Sequence, residues 1–175
     1  MFGFFKKSAA QPQEQQSPTT EPQPEKVITA PGTEIRYSPT LIDELKSDHQ
    51  KLLGAYMAIK ASFEQGNYTA VSQQLNLFRY ELHNHLLTEN VRLYIYVGRM
   101  LEQDEDQYGT IRNFRHEMEG IGKTALRLLK QYEEININQE LADPFARDFA
   151  AIGSILTERI KKEESVLYPL YKANY

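Results

Sequence analysis

Five ionisable residues sit where an apolar helix face would otherwise run unbroken. His49 falls among Leu45, Leu52, Tyr56, Ile59 and Phe63, whose steps of three and four trace one side of a helix. His85 and Glu89 interrupt a second such face, Val71, Leu75, Phe78 and Leu82, then Leu93, Tyr96 and Met100. Arg159 and Glu163 interrupt another, Phe145, Phe149, Ile152 and Leu156, then Leu167 and Leu170. Within each pair the two residues are four apart, so they stack on the same side of their helix. Inward-facing charges without partners cost several kcal/mol each. These five therefore require one another, a metal ion, or both.

Imidazole nitrogen and carboxylate oxygen suit iron, manganese or zinc, and these ligand types do not separate the three. His49, His85, Glu89 and Glu163 make a set of two histidines and two carboxylates. The competing arrangement is an ionic network without metal. In it Arg159 bridges Glu89 or Glu163 in bidentate fashion, with the histidines hydrogen-bonded nearby. A guanidinium also repels a divalent ion, so Arg159 stands where a second metal would otherwise sit.

Four long amphipathic segments must position these groups. Ser38-Pro39 reads as a cap and first position of helix one, and Gly66-Asn67 ends it and caps the next. The second segment fades in the acidic stretch 102–106. A third face, Phe114, Met118, Ile121, Ala125, Leu128 and Tyr132, is interrupted by Gly120 and Gly122, and Asp143-Pro144 opens the fourth segment. Short connections make neighbouring helices antiparallel, so the expected fold is all-α, an up-down-up-down four-helix bundle over residues 38–175. Residues 1–37 are rich in Gln, Pro, Thr and Glu and read as a disordered tail; six of the eight prolines of the 175-residue chain precede residue 40.

Composition removes several classes. Without cysteine there is no disulfide framework, thiolate zinc site, iron–sulfur cluster or cysteine nucleophile. A net charge of −4 argues against nucleic acid as a partner. No apolar run approaches the ~18 residues of a membrane span, and Phe2, Phe4 and Phe5 beside Lys6 and Lys7 anchor too weakly for stable membrane association. That start is also too short for a secretory core, so the expected compartment is the cytoplasm.

The stretches LIDELKSDHQKLL (41–53), HLLTENVRLY (85–94) and ERIKKEESVLYPLY (158–171) resemble the hemerythrin-like (HHE cation-binding) family. The resemblance covers about residues 39–173. It implies a four-helix bundle around a non-haem, typically di-iron, centre in proteins that carry or sense O2, NO or redox state, or report iron. His49, His85, Glu89 and Glu163 match the family's ligand pattern. The family's helix-four histidine is Arg159 here, a buried cation in place of a ligand. The helix-three ligand falls near His116, which the periodicity turns outward; Glu117 lies closer to the seam. His83 points away from the centre, and Glu164 is off the seam. An incomplete set of this kind implies one or two ions, or none.

Two functions follow as expectations. One is a metal-binding sensor or regulator with a diatomic ligand at the metal. The other is a metal-free bundle that binds an unidentified protein partner, for which RIKKE (159–163) resembles a stretch of bacterial anti-sigma bundles. Di-iron oxidases use more carboxylates, typically with ExxH spacing on two helices, so no enzymatic activity is expected.

Overall fold

The computed structural model describes residues 27–173. Four rods form the bundle. The first is α1 (Leu41–Glu64). The second is α2 (Tyr68–Thr88), which runs through a π turn (Glu89–Tyr94) into α3 (Ile95–Met100). The third is α4 (Glu105–Gln131). The fourth is α5 (Ala142–Lys162), which continues through a π turn (Glu163–Leu167) and a 3-10 turn (Tyr168–Leu170). α1 packs on α2, α2 on α4, α4 on α5, and α5 back on α1. The fold is therefore the expected up-down-up-down four-helix bundle, and no strand forms among the described residues.

The ends of the rods follow from local chemistry. Gly66, at φ +69°, takes the left-handed conformation that stops α1. Asn67 then accepts from the Ala70 amide and opens α2. Asp104 does the same for α4 by accepting from the Gln107 amide. The first rod begins at Leu41 rather than at Pro39, with Thr40 reaching Glu44 one turn on. α4 runs unbroken through Gly120 and Gly122. At Gly122 the helices approach closely, and a Cβ there would stand 2.8 Å from a Leu86 methyl of α2, which would have to turn aside.

Residues 27–37, read from composition as part of the tail, are held in place. Thr29 and Arg36 form an antiparallel bridge around Gly32, which sits at φ +68°. Ala30 is buried, Tyr37 stacks on Tyr171 at 5.0 Å, and the Ser38 amide donates to the Tyr171 hydroxyl at 2.8 Å. These partners lie at the far end of the chain, where local composition cannot register them. Residues 1–26, the rest of the expected disordered tail, lie outside the described residues.

The core has two parts. One is aliphatic and aromatic, built around Leu75, Phe78, Leu82, Leu129, Phe145 and Phe149. The other is rich in tyrosine, with Tyr94, Tyr96, Tyr168 and Tyr171 around Leu41, Leu45, Leu93 and Leu167. The five ionisable residues lie between them.

Candidate metal centre

Each π turn opens on a carboxylate that faces the core: Glu89 begins one and Glu163 the other. A π turn closes hydrogen bonds five residues apart and widens the helix, a distortion found mostly at functional positions. Here it changes which residues face inward. A regular continuation would bury Met100 and Leu170. Instead Val97, Leu101, Tyr168 and Tyr171 are buried, and Met100 and Leu170 are only partly so. The wider turns thus set a carboxylate and, five residues on, a tyrosine against the same interior space.

His49 from α1, His85 from α2, Glu89 and Glu163 are all buried, and one ligand atom from each lies within 4.8 Å of the others. His49 Nε2 is 3.3 Å from Glu163 Oε2, and His85 Nε2 is 3.8 Å from Glu89 Oε2. The Nδ1 of His49 is 2.8 Å from Glu164 Oε1. A proton held there leaves Nε2 facing the centre, the arrangement by which a carboxylate orients a ligating histidine. Glu164 is therefore an orienting partner, off the seam as expected but in contact with His49.

Arg159 is fully buried and completely engaged. Its Nε donates to Glu163 Oε1 at 2.8 Å, and Nη2 donates to the Tyr94 hydroxyl at 2.8 Å and to the Phe114 carbonyl at 3.1 Å. Nη1 reaches Glu117 Oε2 at 3.5 Å, and the guanidinium lies 4.6 Å over the Phe114 ring. Tyr168 donates to Glu89 Oε1 at 3.1 Å and sits 3.1 Å from His49 Nε2. Each carboxylate consequently has one oxygen held by a neighbour, Glu89 by Tyr168 and Glu163 by Arg159. Its other oxygen faces the histidines. Glu89 Oε2 and His85 Nδ1 are buried with no hydrogen-bond partner.

Electrostatics without a bound cation favour neutral forms at two of these positions. Burial, helped by the Glu163 charge, lifts the Glu89 carboxyl well above the usual range. Burial also pushes His85 down to about 4, reinforced by nearby His49. On His49 burial acts downward, but hydrogen bonds to Glu163 and Glu164 prevail and raise it. The Tyr168 hydroxyl is driven strongly upward by burial and by the Glu89 and Glu163 charges.

The two further candidates from the sequence do not join the cluster. His116 is exposed. Glu117 is 47% exposed at its side chain and pairs with Arg159 and Lys162, so it tethers the guanidinium from the surface. Both follow from an α4 whose buried line runs through Ile111, Met118 and Ala125, which turns residues 116 and 117 outward. His83 is exposed, as expected. Sequence reasoning missed Tyr94 and Tyr168. The signal was present in the paired strings ENVRLY (89–94) and EESVLY (163–168), each a glutamate followed five residues later by tyrosine.

This layer of buried histidines and carboxylates accounts for the outcome of comparison with known proteins. The model of the hemerythrin HHE cation-binding domain matches residues 40–171. The chain belongs to the hemerythrin HHE cation-binding domain family. No curated protein and no solved structure matches it.

The donor set of this hemerythrin domain fits one cation. Two imidazole nitrogens and two carboxylate oxygens converge, and the partnerless Glu89 Oε2 is among them. The same set fits two ions poorly. Bridging carboxylates need both oxygens, and here Tyr168 and Arg159 hold one of each.

Beside the cluster is a cavity of about 20 Å³, bounded by His49, His85, Arg159 and Glu163 on one side and by Leu52, Phe78, Leu82 and Met118 on another. That is room for one water-sized molecule. Tyr56 borders this cavity where α1 and α5 meet; a Cβ on Gly153 would meet its ring, which would have to shift to admit any larger residue.

Proposed function

We propose that this hemerythrin domain holds one non-haem iron ion between His49, His85, Glu89 and Glu163 and acts as a sensor or regulator. Its signal would be a diatomic gas, redox state or iron supply. The observation that carries the reading is the buried, partnerless Glu89 Oε2, set 3.8 Å from His85 Nε2 in a cluster where His49 Nε2 and Glu163 Oε2 also approach to 3.3 Å. Lone pairs gathered this closely away from water call for a cation or for protons.

A bound iron would supply a redox couple and an open position for a small ligand. The chain's own residues do the rest. Glu164 fixes the His49 tautomer so that Nε2 faces inward. Tyr168 and Arg159 aim one oxygen of each carboxylate at the histidines by holding the other. The Arg159 charge, fixed on the Glu163 side, favours a single ion over two. Manganese and zinc suit the same donors.

The cavity beside the cluster supports sensing over catalysis. At about 20 Å³ it has room for a ligand of about the size of one water, whereas sites for organic substrates run to roughly 300 Å³ or more. No helix among the described residues is long and apolar enough to cross a membrane.

A second reading has its own support. Arg159 satisfies its donors without any ion, as a metal-free interaction module would require. Elemental mass spectrometry and an ultraviolet-visible spectrum of protein from iron-supplied cells separate the two. One iron per chain, lost in Glu89→Gln and His49→Ala, is the expected result. Two irons per chain would overturn the single-ion reading. No metal, even after anaerobic reconstitution, would overturn metal binding and leave the metal-free module.

A further inference from the structure

On the side of α2 away from the core, the bundle carries an apolar line that no element among the described residues covers. Leu77 and Tyr80 are each more than half exposed, and Leu87 and Val91 continue the line in steps of seven and four. On a helical wheel these four fall opposite Val71, Leu75, Phe78 and Leu82, the buried face of the same helix. An outward line of this kind has no role in holding the bundle together.

The line borders a groove between α2 and α4. Two adjoining hollows of about 550 Å³ and about 200 Å³ share His83 and Leu126 as walls. Tyr80, Leu86, Leu87 and Leu126 give the groove apolar surface. From Asn76 to Asn90 it extends about 20 Å at 1.5 Å per residue, the length of a helix of roughly four turns.

Its edges are cationic. Arg79, Lys123, Arg127 and Lys130 line it, with Glu119 the one carboxylate among the lining residues. Glu119 is paired with Lys123 at 2.6 Å, and Arg79 meets Glu133 only at 3.9 Å. Arg127 and Lys130 have no ion-pair partner among the described residues. This local excess of positive charge sits on a chain whose net charge is −4.

We propose that the α2–α4 groove docks an acidic amphipathic helix, its apolar side on Tyr80, Leu87 and Leu126 and its carboxylates toward Arg79, Arg127 and Lys130. Helix-in-groove recognition uses apolar anchors at spacings of three and four, and charge complementarity selects the partner. A second copy of this chain is the poorer occupant, because groove against groove would oppose two cationic edges. The proposal stands apart from the metal reading, since no ligand of the centre lines the groove.

The probe is a fluorescein-labelled helical peptide of about 14 residues with leucine at successive 3–4 spacings and glutamate elsewhere. Its binding is read by fluorescence anisotropy on metal-free protein, beside a peptide with lysine in place of every glutamate. The acidic peptide should bind with salt-sensitive affinity, and the lysine peptide should not. Arg127→Glu with Lys130→Glu should weaken the acidic peptide by about tenfold or more, as should Leu87→Asp. All three positions are exposed, so circular dichroism and the melting temperature should hold. Equal binding of both peptides, or no effect of the double reversal, would overturn the proposal. So would a dimer in sedimentation that Leu87→Asp dissociates, or binding of a DNA duplex in preference to the acidic peptide.

Discussion

The two parts of the core bury similar amounts of chain by different means. The part around Phe78 and Phe145 is apolar apart from Tyr132, whose hydroxyl donates to Asp148 at 2.7 Å; Phe145 stacks on Phe149 at 4.9 Å and Phe149 on Tyr56 at 4.5 Å. The other part uses tyrosines, and their hydroxyls are engaged: Tyr94 by Arg159, Tyr168 by Glu89, Tyr96 by the Lys172 carbonyl and Tyr171 by the Ser38 amide. Apart from the Tyr132 hydroxyl, the first part needs only shape and volume. The second must satisfy charge at the polar layer, and a phenol supplies apolar bulk with one hydrogen-bonding group at its tip. Both π turns belong to the second part, so the helices stay regular in one half and widen in the other. Stability should therefore depend on packing alone at one end and on protonation and cation occupancy at the other.

The largest test of that division is cavity creation in the apolar half. Phe145→Ala removes a ring that is 1% exposed and lies away from the cavity beside the cluster, and should cost about 3–5 kcal/mol in urea unfolding. The cost should be the same with and without metal and flat with pH. A strong pH dependence of this variant's loss would mean that the halves are not separable.

Arg159→Ala should cost a comparable amount, about 3–5 kcal/mol, for a different reason: it leaves Glu163 buried without its cation. Here the loss should shrink when metal is added, because a bound cation would neutralise Glu163 in its stead. A loss unchanged by metal would remove Glu163 from the candidate ligands.

Titration gives the next contrast. His85 sits at about 4 in the fold against an ordinary 6.5, chiefly through burial. A depressed group contributes stability that is present above its unfolded pKa and lost as pH falls through the folded one. Metal-free protein should thus lose about 3 kcal/mol from this group between about pH 6.5 and pH 4. Glu89, raised by burial, works in the opposite sense. Urea titrations of wild type and His85→Gln across that window isolate the histidine, and identical slopes would show that it does not carry the effect.

The sequence made these halves unequally legible. In the apolar half a simple 3.6-residue period places Val71, Leu75, Phe78, Leu82, Phe145, Phe149 and Ile152, all of them buried. The same period carries as far as His85, Glu89, Arg159 and Glu163. Beyond Glu89 and Glu163 it still places Leu93, Tyr96 and Leu167, then fails by one position at the last step, because a π turn accommodates an extra residue and rotates the rest of the helix. Leu101 is buried where the period gives Met100, and Tyr171 where it gives Leu170. Tyr94 and Tyr168 were missed for the same reason. The order of residues 27–37 was missed because it depends on Tyr171, more than a hundred residues away.

A smaller effect is expected where α1 and α5 touch. Gly153→Ala places a methyl against the Tyr56 ring, and the ring must move, at about 1–3 kcal/mol. No hydrogen bond to the Tyr56 hydroxyl holds it in place among the described residues. Tyr56→Ala with Gly153→Ala should therefore lose less than the two single changes together. A double mutant that is simply additive would show that the ring is not what the methyl meets.

The smallest effect on folding should come from the residue most exposed to charge arguments. Burial and the Glu163 charge raise the Glu89 carboxyl and so favour its neutral form in the metal-free fold; to that extent Glu89→Gln exchanges one neutral group for another of the same shape. It should shift metal-free stability by no more than about 1 kcal/mol. Metal binding needs the carboxylate ionised, and an amide is a far weaker ligand, so the same change should abolish it. Stability and metal content would then separate at a single side chain. A loss of several kcal/mol in the metal-free variant would show instead that Glu89 is ionised and paired, that the inward charges sustain one another, and that the tyrosine-rich half needs no cation.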